Sequence, residues 1–134
     1  MRILNTRYNP GSYNTALLIL RLGFGILIAQ HGYDKFVHFS MYQSKFINFM
    51  GLGNNISLGL VVFAELFCGI LVALGLLTRL ACIPLIITMA VALFKAHGGD
   101  FFGVGQAATL YLIVFFALLL TGPGKMSVDS MISK

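Results

Sequence analysis

Among the ionisable side chains within stretches otherwise built mainly from Leu, Ile, Val, Phe and Ala, the informative ones are Arg21, His31, Glu65, Lys95 and His97. Inside a bilayer, Arg, Lys or Asp at the centre of a span costs roughly 2.5 to 3.5 kcal/mol, so such groups turn toward other helices and find partners there. A carboxylate and two imidazoles are side chains that take up and release protons, and Gln106 adds a hydrogen-bonding amide. At ~1.5 Å per residue from one membrane face, Arg21 is expected roughly 10 Å deep, Glu65 roughly 20 Å, and His31 and His97 roughly 25 Å. His31, Glu65, His97 and Gln106 then share one half of the membrane. They form a polar pocket suited to an amphipathic ligand such as a quinone, with Arg21 as electrostatic support. Two other readings of these residues stay open. Arg21 and Glu65 also suit a structural network that fixes helix register. His31 and His97, at similar depth on separate helices, could serve as axial haem ligands, a reading disfavoured in a chain with 3 histidines.

The elements that must position these groups follow from composition. The chain has 134 residues, of which 58% are hydrophobic and only 10% charged, where a soluble domain carries about 25% charged residues. The apolar residues fall in long blocks, which points to membrane helices and against a lipid-facing barrel. Four spans are expected, at about 14–36, 57–77, 80–97 and 107–121, forming a single transmembrane domain over residues 1–134, an all-α four-helix bundle. Between the first two, Phe39, Tyr42, Phe46, Phe49 and Met50 lie opposite Ser40, Gln43, Ser44 and Asn48, the pattern of a short amphipathic helix in the interface. The second and third spans are expected to turn at Thr78-Arg79 and form an antiparallel hairpin.

At ~100° per residue, Arg21, Gly25, Ile28, Gly32 and Lys35 make one stripe on the first helix, with His31 at its edge. On the second, Glu65 continues into Gly69 and Ala73, small residues of the kind a close helix contact needs. Lys95 and His97 diverge by about 200°, which sends His97 inward and leaves Lys95 to reach the interface.

The net charge of +5 comes from Lys and Arg scattered singly, without the cluster that nucleic acid requires. It suits orientation in a bilayer instead: Arg2, Arg7, Arg79, Lys125 and Lys134 fall on one side and Lys35, Lys45 and Lys95 on the other, which favours cytoplasmic termini. Cys68 and Cys82 show neither CxxC nor metal-type spacing, so no metal site is expected, and their different depths mark them as free, packed thiols. No flavin, iron–sulfur or copper motif is present, so electrons would come from a partner or from the quinone itself.

The ordered set RLGFG and HGYDK on the first helix, ELFCGILVALGLLTR on the second and its turn, His97, and GPGKMSVD in the tail resembles the DoxX family of bacterial four-helix membrane proteins. In that pattern Gly69, Thr78, Arg79, Gly122, Pro123 and Gly124 are the structural positions. The resemblance implies a compact bundle in the bacterial cytoplasmic membrane and a link to quinol and thiosulfate oxidation, to detoxification of catechols and quinones, or to membrane oxidoreductase complexes. It also implies an acidic residue at the start of the fourth helix, where this chain has Gln106, a departure that weakens a relay built on two carboxylates. The leading expectation is a quinone-interacting subunit or accessory factor working with a membrane or soluble oxidoreductase partner, not a self-contained oxidase. The alternative is a non-enzymatic scaffold that binds a partner and whose polar network is structural. A homo-oligomer is compatible with either. A small transporter is disfavoured, because four short spans without a broken helix pair leave little room for alternating access.

Overall fold

The computed structural model describes residues 4, 6–43, 53–96 and 98–133. Helix α1 (Pro10–Val37) starts where Asn9 accepts the Gly11 and Ser12 amides at 3.0 and 3.2 Å and Pro10 occupies the first turn. Its buried residues are Asn14, Leu17, Arg21, Gly25, Ile28 and Gly32, the stripe that the spacing predicts, extended toward the N-terminus. Helix α2 (Phe39–Gln43) falls where the interfacial helix is expected to begin; residues 44–50 of that expectation lie outside the described part.

The second rod is continuous but not uniform. Helix α3 (Asn54–Val62) passes through a π-helical turn (Phe63–Cys68) into α4 (Gly69–Leu74). Helix α5 (Thr78–Val91), which contains Pro84, ends in a second π-helical turn (Ala92–Ala96). Helix α6 (Gln106–Thr121) returns along α5 and stops at Gly122-Pro123, and a short α7 (Val128–Ile132) folds back under the bundle. Three of the rods are long and apolar enough to cross a membrane, whereas α6 is shorter, with 16 residues.

The rods pack in a ring: α1 on α4 and the first π turn, that turn on α5, α5 on α6, and α6 back on α1. Ile28, Val72, Cys82, Leu85, Phe115 and Leu118 form part of the core, while Ile26, Phe67, Ile87 and Phe116 are among many large apolar side chains left on the outside. An apolar exterior around a small core is what a chain with lipid as its solvent presents. Both ends of the described chain reach the same end of the bundle, where the Lys125 amide donates to Asn14 Oδ1 at 2.9 Å.

The turn between α4 and α5 lies at residues 75–77, three residues before the expected Thr78-Arg79. Gly75 takes φ 75°, and the bonds Leu76 N–H to Leu71 O (2.9 Å) and Gly75 N–H to Val72 O (3.1 Å) close a Schellman cap. Leu77 then adopts φ 51°, a conformation that costs roughly 1–2 kcal/mol for a residue with a Cβ. The tail holds it there: Asp129 accepts the Leu77 and Thr78 amides at 2.7 and 3.0 Å, and its own N–H donates to Gly75 O at 2.8 Å.

Candidate functional site

Glu65 sits in the first π turn with 3% of its surface exposed. A π turn widens the helix by one residue and recurs at functional positions. Facing it, α1 has no side chain at Gly32: a Cβ added there would lie 2.9 Å from the Glu65 carbonyl carbon and Cβ. About two turns lower, a Cβ on Gly25 would meet the Gly69 carbonyl and the Ala73 amide at 2.8 Å. These glycines let α1 and the second rod touch backbone to backbone.

That approach brings Lys35, on the last turn of α1, onto the carboxylate. Its Nζ donates to Glu65 Oε1 at 2.6 Å and Oε2 at 2.9 Å. Short charge-assisted bonds of this kind are the strong ones, and they offset the cost of desolvating the carboxylate only while both partners are present. The pair is asymmetric, since the Lys35 side chain keeps 23% exposure against 4% for Glu65.

An aromatic wall stands beside the pair. Tyr111, 8% exposed on α6, stacks on Phe115 with centroids 5.8 Å apart and meets the edge of Phe24 at 5.6 Å. The exposed imidazole of His31 lies at 89° to the Tyr111 ring, 6.1 Å away. Glu65 is within electrostatic reach of both His31 and Tyr111. The arrangement offers an ammonium that can donate to a carbonyl oxygen, a carboxylate and an imidazole that can carry protons, and flat rings that can stack on a planar ligand.

Of the residues expected in the pocket, Glu65 and His31 come together. Arg21 does not join them. It is 11 residues before Gly32 on α1, so it lies about 16 Å along the axis from Glu65, level with the 75–77 turn. There it is fully buried; Nη2 donates to the Met126 carbonyl, and Nη1 occupies the space that a side chain on Gly75 would fill. Arg21 Nε and Nη1 and the Thr78 hydroxyl are buried without a hydrogen-bond partner among the described residues. Gln106 opens α6 with its side chain exposed, outside the Glu65 pair. His97 lies outside the described residues.

The expected structural positions fall in two places, Gly69 at the contact with α1 and the others at the tail end of the bundle. Gly69 receives α1, Thr78 is buried at the start of α5, and Arg79 lies over Gly122, with Nη2 3.5 Å from the Leu120 carbonyl. Gly122, Pro123 and Gly124 carry the chain from α6 into the tail, where a Cβ on Gly124 would press on Asn14 and Leu17 at 3.1 Å. Lys35, Tyr111 and Asp129 are the members that residue-by-residue reading left out of its candidate site. Lys35 on the same stripe as Gly32 was the available signal for the first. Cys68 and Cys82 are buried free thiols. Among the described residues, no group of three or more His, Cys, Asp or Glu side chains is placed to hold a metal ion.

Comparison with known proteins agrees with this architecture. Residues 16–98 match the DoxX family model. An uncharacterised membrane protein of Mycobacterium tuberculosis is 33% identical, the match covering 89% of this chain and 82% of that protein. An uncharacterised protein of Haemophilus influenzae is 30% identical, over 85% of this chain and 88% of its own length. No solved structure gives a significant match. With more than half of its length inside the family model and close packing at the glycines of its motif, the chain belongs to the DoxX family.

Proposed function

We propose that this protein is a quinone-interacting subunit or accessory factor of a membrane oxidoreductase system. The observation that carries the reading is the Glu65–Lys35 pair, buried on the carboxylate side, partly open on the ammonium side and flanked by His31 and Tyr111. A quinone headgroup stacked on Tyr111 would accept a hydrogen bond from Lys35 at one carbonyl. Reduction to the quinol takes two electrons and two protons. In this reading the electrons come from a partner oxidoreductase and the protons pass through Glu65 and His31. In this reading the protein resides in the bacterial cytoplasmic membrane with its termini in the cytoplasm.

The test is an absorption spectrum together with mass spectrometry of the lipid extract from detergent-purified protein, comparing wild type with Glu65→Gln and Tyr111→Ala. A co-purifying quinone lost from both variants supports the reading. A ligand-free wild type that also fails to bind an added short-chain benzoquinone refutes it. The close glycine packing around Glu65 favours a second reading, in which the pair locks α1 to the second rod and the protein is a scaffold for a membrane partner. In that case the substitutions change melting and partner capture and leave no ligand to lose.

A further inference from the structure

We propose that the loop of residues 98–105 is a lipid-inserted anchor, with Phe102 and Val104 seated among acyl chains just beneath the headgroups at the end of the bundle opposite the termini. Helix α6 has 16 residues, or ~24 Å, against a hydrocarbon thickness of about 30 Å. Its far end is set at the level of the charged Arg79, which reaches the Leu120 carbonyl, so α6 begins several ångströms short of the opposite headgroups. Helix α5 and its π turn, 14 and five residues, rise at most ~28 Å before entering the same loop. Residues 98–105 therefore cross the chain over at the depth of the acyl boundary, not above it in water.

Backbone at that depth must find its hydrogen bonds within the protein, and much of this loop does. The Gly99 amide donates to Leu93 O at 2.8 Å, and the Gly105 amide to Asp100 O at 3.0 Å. The Asp100 carboxylate accepts the Gly103 and Val104 amides at 3.0 and 3.3 Å. The turn so formed turns its apolar side chains outward: Phe102 is 91% exposed and Val104 70%, while Phe101 rests edge-on against Phe94 at 5.7 Å. Lys95 is exposed nearby, within the sequence reach at which a lysine stem extends to lipid phosphates.

The chain contains no tryptophan, so F102W introduces a single indole at a position too exposed to disturb packing. In nanodiscs of phosphatidylcholine and phosphatidylglycerol, which open both faces to solvent, the indole is expected to emit to the blue. It should lose most of its intensity when the acyl chains are brominated near the glycerol, and resist aqueous iodide. F116W, on the lipid-facing side of α6, serves as the membrane-embedded reference. Emission typical of a water-exposed indole, quenched by iodide and indifferent to brominated lipid while F116W responds to it, would overturn the proposal and mark the loop as free for a soluble partner.

Discussion

Removing the charge from Lys35 should cost more than removing it from Glu65, although the two share the same bonds. Lys35→Met keeps a long apolar stem and deletes only the ammonium. Glu65, 3% exposed, is then left with a charged carboxylate that has lost both bonds donated by Lys35 Nζ. Removing one partner of a buried pair costs about 3–5 kcal/mol, and the burial of Glu65 places Lys35→Met in that range. Glu65→Gln leaves the amide oxygen to accept one bond from Lys35, whose 23% exposure lets its stem turn toward the surface. The loss is then about 1–2 kcal/mol, near the low end for a hydrogen bond to a charged group. The double variant strands nothing charged deep in the bundle, so its loss should fall short of the summed single losses by at least ~1.5 kcal/mol. Reversible unfolding in mixed micelles with increasing dodecyl sulfate, followed by far-ultraviolet circular dichroism, measures all three. Equal single losses, additive behaviour in the double variant, or a Lys35→Met protein within ~0.5 kcal/mol of wild type would refute the assignment of a buried, asymmetric pair.

The same unfolding assay tests the helix contact: Gly32→Ala drives a Cβ to 2.9 Å from Glu65 backbone and side-chain atoms and should cost about 1–3 kcal/mol. Gly23→Ala, with nothing within 4 Å, should be neutral or slightly stabilising. Asp129→Asn weakens the acceptor for the Leu77 and Thr78 amides and should cost about 1 kcal/mol; limited proteolysis should then cut the tail sooner than in wild type, and an unchanged rate would count against the latch. Cys68 and Cys82, both buried, should resist a maleimide in folded micelles and react on denaturation; rapid labelling of the folded protein would contradict their placement.

Much of the architecture is legible because apolar periodicity and span length are strong signals. The stripe from Arg21 to Gly32 follows from 3.6-residue spacing, and the bounds of the rods fall within a few residues of expectation. The displaced turn has a specific cause. Leu76 and Leu77 look like helix interior, and only Gly75 as a left-handed cap ends α4 before them. The inward face of Arg21 is legible from its stripe, but its partner is not, because the Met126 carbonyl lies 105 residues away in sequence. The π turns carry no residue pattern of their own, so the widening that surrounds Glu65 could not be read. Glu65 as the central buried carboxylate was legible from its isolation in an apolar block. Its partner depended on the axial offset of α1 against the second rod, which the Gly32 and Gly25 contacts set.

The two polar centres lie at different levels along the axis of the bundle and differ in exposure. At the tail end, Arg21, Gly75, Ser127 and Asp129 join the first helix, the hairpin turn and the C-terminal segment; Arg21 and Thr78 expose nothing there, while Asp129 is half-buried at the rim. A fully buried guanidinium bonded across to the C-terminal segment suits register specification, and it leaves the Glu65 centre without that task as its sole explanation. A pure lock at Glu65 would gain by burying both partners. Lys35 instead keeps 23% of its side chain open, beside an exposed imidazole and a nearly buried phenol. Partial exposure at one member of a buried pair weakens it as glue and makes it accessible to a ligand. On that physical ground, the pair on the π turn is the place where binding should be sought first.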